Sequence, residues 1–138
     1  MANFATEEDV RLRFQLNDET QVPPALVEVC IAAAHDEILL RLDPLFNIEP
    51  PQSALAVGET LLAGAHVFRA LAGKDAADQR QLTIGGQRLD AGRRFDALIE
   101  TAALTEEKAW YVLEPFLKPR LAIAPADTTD TVPVLGEP

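Results

Sequence analysis

"QLTIGGQRLDAGRRF", Gln81 to Phe95, decides how the chain is built, because paired glycines, a third glycine and two arginines suit either a phosphate cradle or a turn. A dinucleotide fingerprint follows a strand and opens a helix with its glycines at fixed offsets, and a Walker loop closes on Lys followed by Ser or Thr. Here five residues separate Gly86 from Gly92, and Arg93-Arg94 follows where Lys-Ser or Lys-Thr would be needed. The phosphate reading fails. What fits is "LTI-GG-QRL", two short strands around Gly85-Gly86, because the centre of a tight hairpin turn needs positive φ and glycine supplies it without steric cost. The sequence therefore predicts a small hairpin over residues 82–89, with Asp90 capping the helix after it.

Everything around that stretch reads as helix. "TEEDVRLRF" opens on Thr6, whose hydroxyl can accept from first-turn amides, and Glu7, Glu8 and Asp9 complement the positive end of the helix dipole. "PPALVEVCIAAAHDEILLRLDP" starts on prolines suited to a first turn and stops at Asp43-Pro44. Val27, Cys30, Ile31, Ala34, Ile38 and Leu42 recur in it at three- and four-residue intervals, and Leu26, Val29, Ala33 and Leu40 widen the stripe, which predicts a central helix covered on more than one side. A third helix runs from about Gln52 and is expected to end at Gly73 as a left-handed cap, with Leu55, Leu61, Leu62, Ala65, Phe68 and Leu71 on its buried side. Gly58 and Gly64 each cost it roughly 1 kcal/mol of helix propensity relative to alanine. Either a neighbouring helix or subunit approaches closely there, or the two are simply tolerated. Beyond the hairpin, "AGRRFDALIETAA" presents Ala91, Phe95, Leu98, Ile99 and Ala102, and Thr105 starts a fifth helix, "EEKAWYVLEPFL", which Pro115 ends or bends.

The expected fold class is all-α: a small bundle of about five helices with one short β-hairpin and an extended C-terminal arm. At 138 residues and 48% hydrophobic composition the chain fills one core. Residues 1–117 form that helical domain, and residues 118–138 form the arm. "KPRLAIAPADTTDTVPVLGEP" is rich in Pro, Thr and Asp and has no helical period, so it should not fold alone. It is either a disordered tail or an arm that orders against a partner, with Leu121, Ile123, Val132, Val134 and Leu135 as anchors.

Twelve basic against twenty-two acidic side chains give a formal net charge of -10, a field that repels nucleic-acid phosphate and anionic lipid. Residues 1–50 carry three basic and ten acidic groups, a balance of -7, whereas residues 51–117 carry seven and nine, a balance of -2. One face should therefore be acidic. Arg88, Arg93 and Arg94 form the one basic cluster, which is either solvated surface or a patch for the acidic face of a neighbouring copy. The lone Cys30 agrees with a reducing cytoplasm. "MANFATEEDV" has no basic segment followed by an apolar run, and no uninterrupted apolar stretch approaches the ~18 residues that span a membrane, so a soluble protein without an export signal is expected.

Catalytic groupings are scarce. His35 and His66 each follow an acidic residue, Glu28 and Glu59, by seven positions, two turns away on one helix face. The di-metal bundle motif needs Glu and His three apart to reach one ion, so neither histidine qualifies as a ligand, and both read as core or helix-surface residues. Cys30 lies between Val29 and Ile31, an apolar setting that suits packing and not a nucleophile. Trp110, Tyr111 and Phe116 crowd the last helix at a spacing that suits core more than a binding site. The expectation is no enzyme, no cofactor and no metal.

Taken in order, "FATEEDVRLRF", "AAAHDEILLRLDP", "LLAGAHVFRALAG", the "IGGQ" turn and "EEKAWYVLEPFL" resemble the head-to-tail connector proteins of tailed bacteriophages, also called adaptor or head-completion proteins. The resemblance spans about residues 3–117 and rests on element order and loose motifs, since the family has no catalytic signature. It implies a helical bundle assembling as a twelve-fold ring under the portal at the capsid vertex of the virion, made in the host bacterial cytoplasm. Such a ring extends the DNA channel without specific binding to DNA and offers a platform to the next neck or tail protein. Gly85, Gly86, Arg88, Arg93, Arg94 and the five arm anchors are the expected contacts with the portal or neighbouring subunits. The alternative, from another class, is a small helical regulatory or protein-binding domain of a bacterial cell. A helical-bundle metal enzyme is a third possibility.

Overall fold

The computed structural model describes residues 3–46, 52–79 and 85–119, without side chains for 78, 79 and 85–92. Among the described residues four α-helices follow one another: α1 (Glu7–Phe14), α2 (Pro24–Arg41), α3 (Gln52–Gln79) and α4 (Gly85–Leu113), with 3₁₀ turns at Pro44–Phe46 and Glu114–Phe116. No strand is present among the described residues, so the chain is all-α.

Local chemistry sets the helix ends. Thr6 accepts from the Asp9 amide while the Asp9 carboxylate accepts from the Thr6 amide, a reciprocal cap that starts α1, and Gln15 ends it in the left-handed conformation at φ 58°. Pro24 occupies the first turn of α2, where no amide donor is needed. Arg11 fastens the α1–α2 connection: its guanidinium donates to Glu7, to the Leu16 carbonyl at 2.9 Å and to the Val22 carbonyl at 2.7 Å. Pro115 turns the end of α4 into a 3₁₀ turn, as its missing amide requires.

Two expectations for residues 82–113 are corrected. Gly85 and Gly86 lie in the first turn of α4, and Gln87 to Leu89 continue it, so these residues form no hairpin turn or second strand; the expected first strand, residues 82–84, lies outside the described residues. Three-residue strands with nothing to pack on are marginal. The helical period gains more, since Phe95, Leu98, Ala102, Ala109 and Leu113 keep one inward side at three-, four- and seven-residue steps. The same unbroken period passes through Asp90 and Thr105, which are interior helix residues and not caps, so the two helices expected here are one.

The centre also moves. Helix α3, not α2, is the main packing partner of each of the other helices. From Gly58 to Ala65 every α3 residue is buried, two turns enclosed on all sides. Helix α3 is long and apolar enough to cross a membrane, but over half of its most apolar stretch is buried within the bundle, as befits a core helix. Its expected inward set holds: Leu55, Leu61, Leu62 and Ala65 are buried and Phe68 and Leu71 half-buried. Among the described residues, helix α2 is covered on one side only. Val27, Cys30, Ile31, Ala34 and Ile38 are buried, whereas Val29, Ala33 and Leu40 face solvent.

The α3 glycines admit neighbours of the same chain. A Cβ on Gly58 would overlap the Leu113 side chain of α4, and one on Gly64 would overlap the Phe14 ring of α1. Phe14 in turn meets Phe68 edge-on at 5.2 Å. Gly73 does not end α3, which continues to Gln79.

Candidate functional site

Two places on this bundle gather polar chemistry, one buried and one open.

The buried one is built on Glu59, fully enclosed in the middle of α3. Its Oε2 accepts from the amides of Phe4 at 2.8 Å and Ala5 at 2.9 Å, and its Oε1 lies 2.7 Å from Nδ1 of His35 on α2. A carboxylate can only accept, so His35 donates from Nδ1 and the proton sits there. His35 Nε2 is buried without a partner, and the ring packs on Phe4 at 4.8 Å. This carboxylate joins α3, α2 and the N-terminal segment. Its three hydrogen-bonding contacts tie these elements together inside the bundle. His66, the other histidine, lies 3.3 Å from Glu37 of α2 without hydrogen-bond alignment. Both histidines therefore pair across helices and not with the acidic residue seven positions earlier on their own helix.

The open place lies where the chain leaves the bundle. Leu42 bridges antiparallel to Leu117, with the Asp43 amide donating to the Phe116 carbonyl at 3.0 Å and the Lys118 amide to the Arg41 carbonyl at 2.8 Å. Beside this bridge runs a groove of about 810 Å³ lined by Leu40, Arg41, Trp110, Tyr111, Leu117 and Pro119, with Glu107 and Glu114 at its side. The Arg41 guanidinium sits 4.3 Å from the centre of the Trp110 ring, a favourable cation–π distance. Tyr111 is 77% exposed and Leu40 76%, so the groove presents two large apolar groups to solvent beside charges of both signs. That mixture suits a peptide-like surface. The aromatic run on α4 is thus divided: Trp110 and Phe116 pack partly on the core, and Tyr111 does not.

Behind the groove, Glu106 receives Arg69 from α3 and the indole N–H of Trp110 at 3.3 Å. Burial alone would push its carboxyl up, but the hydrogen bonds from Arg69 and Trp110 and the charges of Arg69 and His66 outweigh it and hold the carboxyl below the ordinary glutamate range. A depressed carboxyl stabilises the fold above its unfolded value, about 4.3, and that contribution disappears as pH falls through the lower folded value. Urea unfolding at a series of pH values should therefore show Glu106→Gln weaker than the parent by about 1 kcal/mol or less near neutrality, the gap closing in acid. A gap that persists at the lowest pH would contradict this. Burial likewise raises the Cys30 thiol, as befits a packed and unreactive cysteine.

The residues expected to make contacts fare unequally. Gly85, Gly86 and Arg88 lie on the opening turns of α4. Arg93 is exposed, and Arg94, 62% exposed, is engaged with Asp75 of α3 at 2.8 Å, so the basic cluster is partly neutralised within the subunit. Leu121, Ile123, Val132, Val134 and Leu135 lie outside the described residues. Among the described residues, no group of three or more His, Cys, Asp and Glu side chains is placed to hold a metal ion. Exposed acidic groups occur on both halves of the bundle: Glu8, Asp9, Asp18, Glu19, Glu28 and Asp36 on α1, α2 and their connection, and Asp96, Glu100, Glu107 and Glu114 on α4 and the turn after it. Comparison of the chain with protein families, with characterised proteins and with solved structures finds no match.

Proposed function

We propose that this chain is a structural subunit of a tailed-phage virion, a head-to-tail connector that repeats as a ring between portal and neck and extends the DNA channel. The observation that carries this reading is the order of sequence elements, from "FATEEDVRLRF" to "EEKAWYVLEPFL", laid out as consecutive helices of one bundle that exposes acidic groups on α1, α2 and α4. An acidic wall repels phosphate and lets DNA slide, the reverse of the basic footprint of proteins that hold it. In a ring built by one repeated contact, Arg93 of each copy meets acidic groups of the next that do not face the channel. The C-terminal arm adds contacts outside the bundle.

Mass measurement of the purified chain with and without portal, followed by imaging, tests this. Rings that form on portal and weaken severalfold on Arg93→Glu with Arg94→Glu are expected. Normal infectious particles lacking the protein would overturn the connector reading, and undiminished rings from the double variant would remove the arginines from it. The groove at Tyr111 and Leu40 supports a second reading, a small helical domain that binds a partner protein as a monomer or dimer; an unchanged monomer or dimer mass in the presence of portal favours it.

A further inference from the structure

Helix α2 carries an outer stripe that nothing among the described residues covers: Ala25, Val29, Ala33, Asp36 and Leu40 are all exposed, Val29 by 66% and Leu40 by 76%. We propose that the first part of the arm, residues 120–124, lies along this stripe of its own chain, with Leu121 over Ala33 and Ile123 over Val29.

Direction comes first. The bridge between Leu42 and Leu117 is antiparallel and is held on both sides by backbone hydrogen bonds, so the chain leaving Lys118 is aimed back along α2 toward its N-terminus. Pro119 already lines the groove beside Leu40. Length comes second. An extended chain advances about 3.3 Å per residue and a helix about 1.5 Å, so each arm residue passes about two residues of α2. Counting from the Leu42–Leu117 pair sets residue 121 beside residue 33 and residue 123 beside residue 29. Residues two apart in an extended chain share a face, so Leu121 and Ile123 turn to the helix together. Charge comes third. The run "KPRLAIA", Lys118 to Ala124, is basic and apolar, and the α2 surface it would cross is acidic and apolar, with Glu28 and Asp36 exposed. The match stops where the sequence turns to "PADTTD". The short tether favours the chain's own helix, because a closely linked segment has an effective concentration in about the millimolar range.

The test uses the full chain. Ala33→Cys with Leu121→Cys, oxidised in dilute solution, should give an intramolecular disulfide, seen as a faster-migrating monomer that reductant reverses. A cross-linked dimer would assign the stripe to a second copy, and no cross-link would remove the docking; either overturns the proposal. An independent reading is the rate at which a thiol reagent modifies Ala33→Cys, which should rise about tenfold when Leu121→Asp and Ile123→Asp are added. Equal rates would count against it, with circular dichroism confirming that both proteins are folded.

Discussion

Replacing Glu59 by alanine should destabilise the fold by about 3–5 kcal/mol, a large share of the roughly 5–15 kcal/mol that holds a domain of this size together. The cost comes from what the carboxylate leaves behind. The Phe4 and Ala5 amides and His35 Nδ1 all point at Glu59 inside the bundle, and each loses its acceptor when the carboxylate is removed. An orphaned buried donor costs about 1–3 kcal/mol. Glutamine is the informative comparison. Its oxygen can still accept from the two amides, and its NH₂ can donate to Nδ1 if the His35 proton moves to Nε2, so Glu59→Gln should cost less, about 1–3 kcal/mol. Denaturant unfolding measures both, and hydrogen exchange at the Phe4 and Ala5 amides shows whether the N-terminal segment has come loose. An alanine variant of parental stability, with those amides still protected, would deny Glu59 this role.

The clue to that arrangement was visible in the sequence. One carboxylate stands in "ALAVGETLLAGAHV", and a charged group in so apolar a run must find partners or raise the cost of burial. What the sequence lacked was the partner, because His35 is twenty-four positions away on another helix and no spacing rule connects them. The first helix was fully legible, since Thr6 and Asp9 form its cap within four residues. For α2 the difficulty was the reverse. With Val27, Ile31 and Ile38 on one side and Val29, Ala33 and Leu40 on the other, apolar periodicity fits burial of either side, and only the position of α3 selects between them. At Gly85-Gly86 a strong local turn signal competed with a weaker but longer helical period, and over α4 the longer pattern prevailed. The groove beside Tyr111 was hidden for the same reason as the His35–Glu59 pair: it exists only once Leu42 meets Leu117 across the chain.

The two buried glycines of α3 yield a prediction that runs against helix propensity. Gly→Ala inside a helix ordinarily gains about 1 kcal/mol, and at Gly73, whose added Cβ would have no heavy atom within 4 Å, Gly73→Ala should show that full gain. At Gly64 the added carbon would overlap the Phe14 ring, and that ring cannot slide freely because it packs edge-on against Phe68 at an interplanar angle of 86°. Overpacking of this kind costs about 1–3 kcal/mol, which cancels the propensity gain and turns Gly64→Ala neutral or destabilising. Gly64→Leu removes the ambiguity. Three more carbons must enter a segment where every neighbour from Gly58 to Ala65 is already buried, so α1 has to leave α3, and the loss should exceed that of the alanine variant by several kcal/mol. Truncating the ring should restore part of it: Phe14→Ala in the Gly64→Ala background opens the space the methyl needs, so the two changes together should cost less than the sum of each alone. Strict additivity in denaturant unfolding, or a Gly64→Ala gain equal to that of Gly73→Ala, would mean that α1 does not rest on α3 at this glycine.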